Sequence, residues 1–181
     1  MKICIYGASS DNIPEKYLSA AYNFGAELAK KGHSLVFGGG NTGVMGQAVR
    51  GARSEGGHSI GIAPKFFDVD DILFKDCDEF IYTETMRERK ALLEENSDAF
   101  AVLPGGIGTY EEFFETLVLC QLGQLDKPIA IYNVDGCYSN LEVLLKGTVS
   151  EGFMSEKYLS LCRFCKSADE IFDYFSESLA K

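Results

Sequence analysis

The sequence predicts an α/β fold: a Rossmann-like, doubly wound, mainly parallel sheet of about six or seven strands with helices on both faces. Three observations predict it. Short, near-continuous apolar runs alternate with longer stretches of helical periodicity from end to end, as strands buried on both faces require. Small-residue turns rich in glycine follow several of those runs and open the next helix. Hydrophobic residues make up 46% and charged residues 24% of 181 residues, the balance of one globular domain with a real core. Residues 1–181 therefore read as a single domain, without internal repeat or low-complexity linker.

The elements follow in order. Residues 2–6 form a strand that ends in Gly7-Ala8-Ser9-Ser10. A helix over 14–31 places Leu18, Ala21, Gly25 and Leu28 at three- and four-residue steps, and Gly32 stops it. Residues 34–37 are a second strand, and a triple glycine leads into a helix over 44–55, stopped by Gly56-Gly57. A third strand, 58–63, is closed by Pro64; the acidic segment 67–79 that follows is expected on the surface. Residues 80–82 read as the fourth strand, 86–96 as a helix, 99–103 as the fifth strand, 110–122 as a helix and 128–132 as the sixth strand. Helices over 140–151 and 167–179 complete the chain, with a further strand around 161–165.

Charge narrows the partners. The formal net charge is −10, from 17 basic and 27 acidic residues, which repels nucleic-acid phosphates and anionic lipid. No apolar run approaches the ~20 residues of a membrane span, and residues 1–7 turn polar too soon for a signal peptide. A cytoplasmic location with reduced thiols fits the six cysteines. Cys162-x-x-Cys165 has no second half, and His33 and His58 have no ligand spacing, so no metal is expected.

In a parallel sheet of this kind, ligands bind outside the carboxyl ends of the strands. Three strand-to-helix loops there are rich in small residues: 7–10, 38–43 and 104–109. Glycine lets backbone N–H groups approach an anion, and a helix start adds partial positive charge. Three such loops on one edge suggest a nucleotide or sugar phosphate. Gly38-x-Gly40-x-x-Gly43 matches the dinucleotide fingerprint literally, yet the next strand ends Gly61-Ile62-Ala63-Pro64, with no acid for a ribose. Tight helix–sheet packing by Gly43, Gly46 and Gly51 is the plainer reading.

Thr109-x-x-Glu112 reads either as a capping box or as a carboxylate beside an anion cradle. In the second case Glu112 serves as a base for water or stabilises a cationic sugar. Glu115, three residues on, lies near the same face, and Glu111 points elsewhere. The densest cations, Arg87, Arg89 and Lys90, open the helix after the fourth strand, where the dipole disfavours them. They are either a solvated face or a phosphate grip, and Thr85-x-x-Glu88 is itself a plausible capping box.

Taken together, 38–46, Met86-Arg87-Glu88-Arg89-Lys90 and Pro104-Gly105-Gly106-Ile107-Gly108-Thr109-Tyr110-Glu111-Glu112 resemble the LONELY GUY (LOG) family, once labelled lysine decarboxylases. The segments 97–100 and 133–136 agree in order and spacing. The resemblance implies a nucleotide-binding domain that cleaves the N-glycosidic bond of a cytokinin riboside 5′-monophosphate or of AMP, releasing free base and ribose 5-phosphate. It implies Arg89 and Glu112 as the catalytic pair and Gly105, Gly106, Gly108 and Thr109 as the phosphate cradle. Ser9, Gly40, Gly43, Met45, Met86, Lys90 and Glu115 complete the expected substrate contacts. It also implies a homodimer and no cofactor; the old label would need a pyridoxal phosphate lysine, and no lysine stands out. Two departures, Arg87 where His is usual and Ala63-Pro64 followed by Phe66-Phe67, are expected to border the base pocket. The alternative is a non-catalytic binder of a nucleotide or phosphorylated cofactor, like the molybdenum cofactor carriers of similar fold.

Overall fold

The computed structural model of the protein describes residues 1–10, 12–69 and 71–180. Among them, seven strands form one sheet: β1 (Lys2–Tyr6), β2 (Ser34–Phe37), β3 (Ser59–Pro64), β4 (Glu79–Thr83), β5 (Ala99–Val102), β6 (Ile129–Tyr132) and β7 (Cys162–Cys165). The order across the sheet is β4-β3-β2-β1-β5-β6-β7, and every neighbouring pair is parallel. β1 lies centrally, with Ile3 beside both Leu35 and Ala99. From β1 the chain winds outward to β4, returns to β5, and winds the other way. Such a reversal opens a crevice between the first strands of the two halves, here β1 and β5.

The two-residue period of the strands divides the core into two layers. Ile3, Ile5, Leu35 and Phe37 face α1 (Glu15–Lys30), α2 (Gly43–Ser54) and α6 (Ala168–Leu179). Cys4, Tyr6, Val36, Phe100 and Val102 face α3 (Met86–Glu95), α4 (Ile107–Gln121) and α5 (Ser139–Ser150). Phe24, Phe37, Phe100 and Phe113 are fully buried, each contributing roughly 1.5–3 kcal/mol by leaving water. Cys162 and Cys165 fall into opposite layers, so this Cys-x-x-Cys cannot converge on one ligand. All six cysteines are free. Among the described residues no group of three or more His, Cys, Asp or Glu could hold a metal ion, and no helix is long and apolar enough to cross a membrane.

Three expectations are corrected. Gly51 serves helix–helix rather than helix–sheet packing: a Cβ there would stand 1.9 Å from the Tyr22 carbonyl of α1. A Cβ on Gly25 would meet the Ala48 carbonyl of α2 at the same 1.9 Å. The acidic segment is only partly superficial. Leu73 is buried, Gly40 and Leu73 form an antiparallel bridge, and the amides of Asn41 and Phe74 donate to the carbonyls of Ile72 and Gly39 at 2.9 and 2.8 Å. Asp70, within that segment, lies outside the described residues. Finally, α4 begins at Ile107 rather than at 110, because the glycine turn itself winds into the first helical turn.

Because a backbone carbonyl cannot yield as a flexible side chain can, Gly25→Ala must push α1 and α2 apart. Urea unfolding is expected to show a loss of about 1–3 kcal/mol, as a lower midpoint with an unchanged m-value.

Candidate active site

The carboxyl ends of β2, β1 and β5 lie side by side, so the three small-residue loops form one rim. The Ala8 amide donates to the Pro104 carbonyl at 3.2 Å, and the Met45 amide donates to the Ala8 carbonyl at 3.1 Å, fastening the loops together. Gly43 sits in the left-handed region (φ +64°), and a Cβ would stand 2.6 Å from the carbonyls of Ala8 and Ser10. Only glycine permits that approach.

Two cavities open on the rim. The first, about 400 Å³, lies over the β1–β5 crevice and is lined by residues 7–10, Gly106, Gly108, Thr109, Met86 and Glu112. The second, about 500 Å³, lies over the end of β2, with Gly38, Gly40, Asp71, Ile72 and Leu73 in its wall. Ser9, Met45, Phe67 and Arg89 line both. On the first cavity's floor, α4 starts at an N-cap, Gly106, that offers no side-chain cap. The opening amides of a helix have no partner within it and carry its positive dipole end, so this start suits an anion. Nothing lies within 4 Å of where a Cβ on Gly106 or Gly108 would stand.

Arg89 stands between the cavities, 5% exposed, and its Nη1 donates to Glu112 Oε1 at 2.7 Å; Glu112 is 8% exposed. Burial pushes the Glu112 carboxyl above the usual carboxylate range, while the Arg89 guanidinium draws it back only in part. Arg89 Nε is buried and has no hydrogen-bond partner within the protein. Gly38 makes room for the guanidinium: a Cβ there would stand 1.7 Å from Arg89 Nη2. Beneath the pair, Thr116 Oγ1 donates to the Glu112 carbonyl at 2.9 Å, which leaves the Tyr6 hydroxyl to donate to Thr116 Oγ1, also at 2.9 Å. This chain ties α4 to the end of β1.

The two threonine–glutamate motifs now separate. Thr85 and Glu88 do form a capping box: Glu88 N donates to Thr85 Oγ1 at 3.2 Å, and Thr85 N to Glu88 Oε2 at 3.3 Å. Thr109 and Glu112 do not. Thr109 is the third residue of α4, and the Glu112 carboxylate pairs with Arg89 instead of its own backbone. The cation cluster also divides. Arg87 is exposed and lines neither cavity; Arg89 is buried between them; Lys90 turns to Glu111 and Glu115, with Nζ at 2.5 Å from each.

These positions meet the comparisons with known proteins. A family model described as "possible lysine decarboxylase" matches residues 45–175. A probable cytokinin riboside 5′-monophosphate phosphoribohydrolase of Oryza sativa subsp. japonica is 35% identical over 97% of this chain and 83% of its own length. The cytokinin riboside 5′-monophosphate phosphoribohydrolase of Mycobacterium tuberculosis is 39% identical over 84% and 81%. The chain belongs to the LOG family. Among solved structures, the molybdenum cofactor carrier protein of Chlamydomonas reinhardtii superposes with a TM-score of 0.74 over 99% of this chain and 98% of its own, at 22% identity. At that identity the likeness shows the fold alone.

In this LOG chain, Ser9, Met45, Met86, Gly106, Gly108, Thr109, Arg89 and Glu112 line the first cavity, and Gly40 the second. The other expected contacts stand back from both walls: Gly43 lets backbones meet, Gly105 makes room for the Thr109 side chain, and Lys90 and Glu115 pair with each other. The expectation for the two flanking carboxylates is reversed, since Glu111 lines the first cavity and Glu115 does not, Lys90 drawing Glu115 toward α3. A Cβ on Gly105 would stand 2.0 Å from Thr109 Oγ1. Of the family departures, Phe67 lines both cavities, whereas Phe66 is 57% exposed. Sequence reasoning missed Gly38, Tyr6, Thr116 and the Ile72-Leu73 wall. Gly38 was within reach, as the first glycine of the literal fingerprint, but its partner turned out to be a side chain rather than a pyrophosphate.

Two outcomes are expected. Carboxyl ¹³C NMR should show Glu112 titrating above the usual carboxylate range, and higher still in Arg89→Met or Gly38→Ala, where the opposing charge is removed or displaced. Unchanged titration in both would mean that the pair is not electrostatically coupled. Because the folded chain holds this proton more tightly than the unfolded one, Glu112 costs stability as pH rises from the ordinary carboxylate value through its raised one. Glu112→Gln should remove that slope from the pH dependence of unfolding.

Proposed function

We propose that this protein is a phosphoribohydrolase that breaks the N-glycosidic bond of a purine nucleoside 5′-monophosphate, a cytokinin riboside monophosphate or AMP, giving free base and ribose 5-phosphate. The observation that carries the reading is the buried Arg89–Glu112 pair, 2.7 Å apart, on the wall of a cavity floored by an uncapped helix start. The 35–39% identity to relatives named for this reaction supports it. Gly106, Gly108 and Thr109 hold the phosphate through the opening amides of α4, and the base lies toward the second cavity, past Arg89.

The chemistry follows from the pair. As the bond between the anomeric carbon and the base nitrogen breaks, its electrons leave with the base and the sugar takes on oxocarbenium character. The Glu112 carboxylate offsets that charge and removes a proton from the water that attacks the anomeric carbon. A carboxyl raised by burial is the better proton acceptor near neutrality. Arg89 holds Glu112 through Nη1 and has Nε free for the substrate. The departing nitrogen takes up a proton from solvent and Glu112 returns the one it removed from water, so the sum is nucleotide plus water giving free base and ribose 5-phosphate.

In this reading, the 181 residues are one domain acting in the cytoplasm, which six free thiols support, and the working unit is a homodimer, which the exposed Val118 of α4 and Leu122 just beyond its end support. Incubation with AMP and with isopentenyladenosine monophosphate, followed by chromatography, should show free base and ribose 5-phosphate in equal amounts. Glu112→Gln should lower kcat by roughly 10²–10⁴-fold. Tight nucleotide binding with no base released would make the protein a carrier.

A further inference from the structure

Every carboxylate near a phosphate site weakens it, and this site keeps two close together. Glu112 is neutralised by Arg89. Glu111, the next residue, also lines the first cavity, and 54% of its side chain is exposed. One turn further along α4 stands Glu115, behind the cavity wall, so two like charges share an i,i+4 face beside an anion cavity. Lys90 answers both. It comes from the neighbouring helix α3, its side chain is only 16% exposed, and its Nζ bridges Glu111 Oε1 and Glu115 Oε2 at 2.5 Å each. Lys90 itself lines neither cavity.

We propose that Lys90 is a positioning residue for the substrate phosphate: its ammonium neutralises Glu111 and holds that carboxylate against α3, off the path of the incoming anion. The proposal rests on the hydrolase reading only for the identity of the anion. Burial alone would lower the pKa of Lys90, but the hydrogen bond to Glu111 and the ion pair with Glu115 raise it on balance, so the clamp stays charged. The same two residues act on Glu112 in opposite senses: Glu111 raises its carboxyl and Lys90 lowers it.

Calorimetric titration with AMP and with inorganic phosphate tests the clamp without requiring turnover. Lys90→Met should weaken both by roughly 5–50-fold at low salt, the range of one uncompensated charge at a partly screened site, and by less at high salt. Lys90→Arg should bind close to wild type. In Lys90→Met, the added change Glu111→Gln should restore most of the lost affinity, an outcome that a purely structural lysine would not give. Where turnover is measurable, KM should move more than kcat. Glu111→Gln alone, which leaves Lys90 in place, should bind phosphate at least as tightly as wild type. Wild-type affinity in Lys90→Met, failure of Glu111→Gln to rescue, weaker binding by Glu111→Gln alone, or no AMP binding by the wild type would each overturn the proposal. AMP that binds in a Lys90-dependent way but releases no base would instead overturn the hydrolase reading and leave the clamp standing.

Discussion

A guanidinium and a carboxylate taken out of water together set the terms for the rest of this molecule. Removing each from water costs several kcal/mol, and their attraction compensates only if the geometry is held. The Thr85–Glu88 capping box fixes where α3 begins, and hence where Arg89 points. The chain from Tyr6 through Thr116 to the Glu112 carbonyl pins α4 to the central strand. Gly38 leaves the volume that the guanidinium occupies. Each support comes from a different strand–helix unit, so the pair forms only when β1, β2, α3 and α4 are all in place.

The burial cost also explains why the pair is chemically alert. A carboxyl whose ionisation is opposed by burial and only partly restored by one neighbour is easily tipped by a third charge. An oxocarbenium-like sugar is such a charge.

The doubly wound parallel class and the strands are largely legible from the chain: the ranges 34–37 and 2–6 agree to the residue, because apolar runs between glycine turns admit few other readings. The order of strands across the sheet carries no signal in the sequence. The start of α4 is not legible, since Ile107 and Gly108 look like loop until the helix is seen to run through them. That shift of three residues decided the meaning of Thr109-x-x-Glu112, turning a possible cap into a buried ion pair. The roles within Met86-Arg87-Glu88-Arg89-Lys90 could not be separated by spacing alone. They depend on α4, 20 residues away, offering Glu112 to Arg89 (|i−j| = 23) and Glu111 to Lys90 (|i−j| = 21). The inward turn of Leu73 is hidden by the acidic residues around it in sequence: Asp71 and Asp76 are exposed while Leu73 is buried against the β2 loop.

Arg89 is a partition as much as a partner. With a chamber on either side of it, and Ser9, Met45 and Phe67 common to both walls, the protein presents two adjoining footholds of about 400 and 500 Å³. A ligand that fills both must therefore bend around the guanidinium, with the uncapped start of α4 under one end and Asp71, Ile72 and Leu73 against the other.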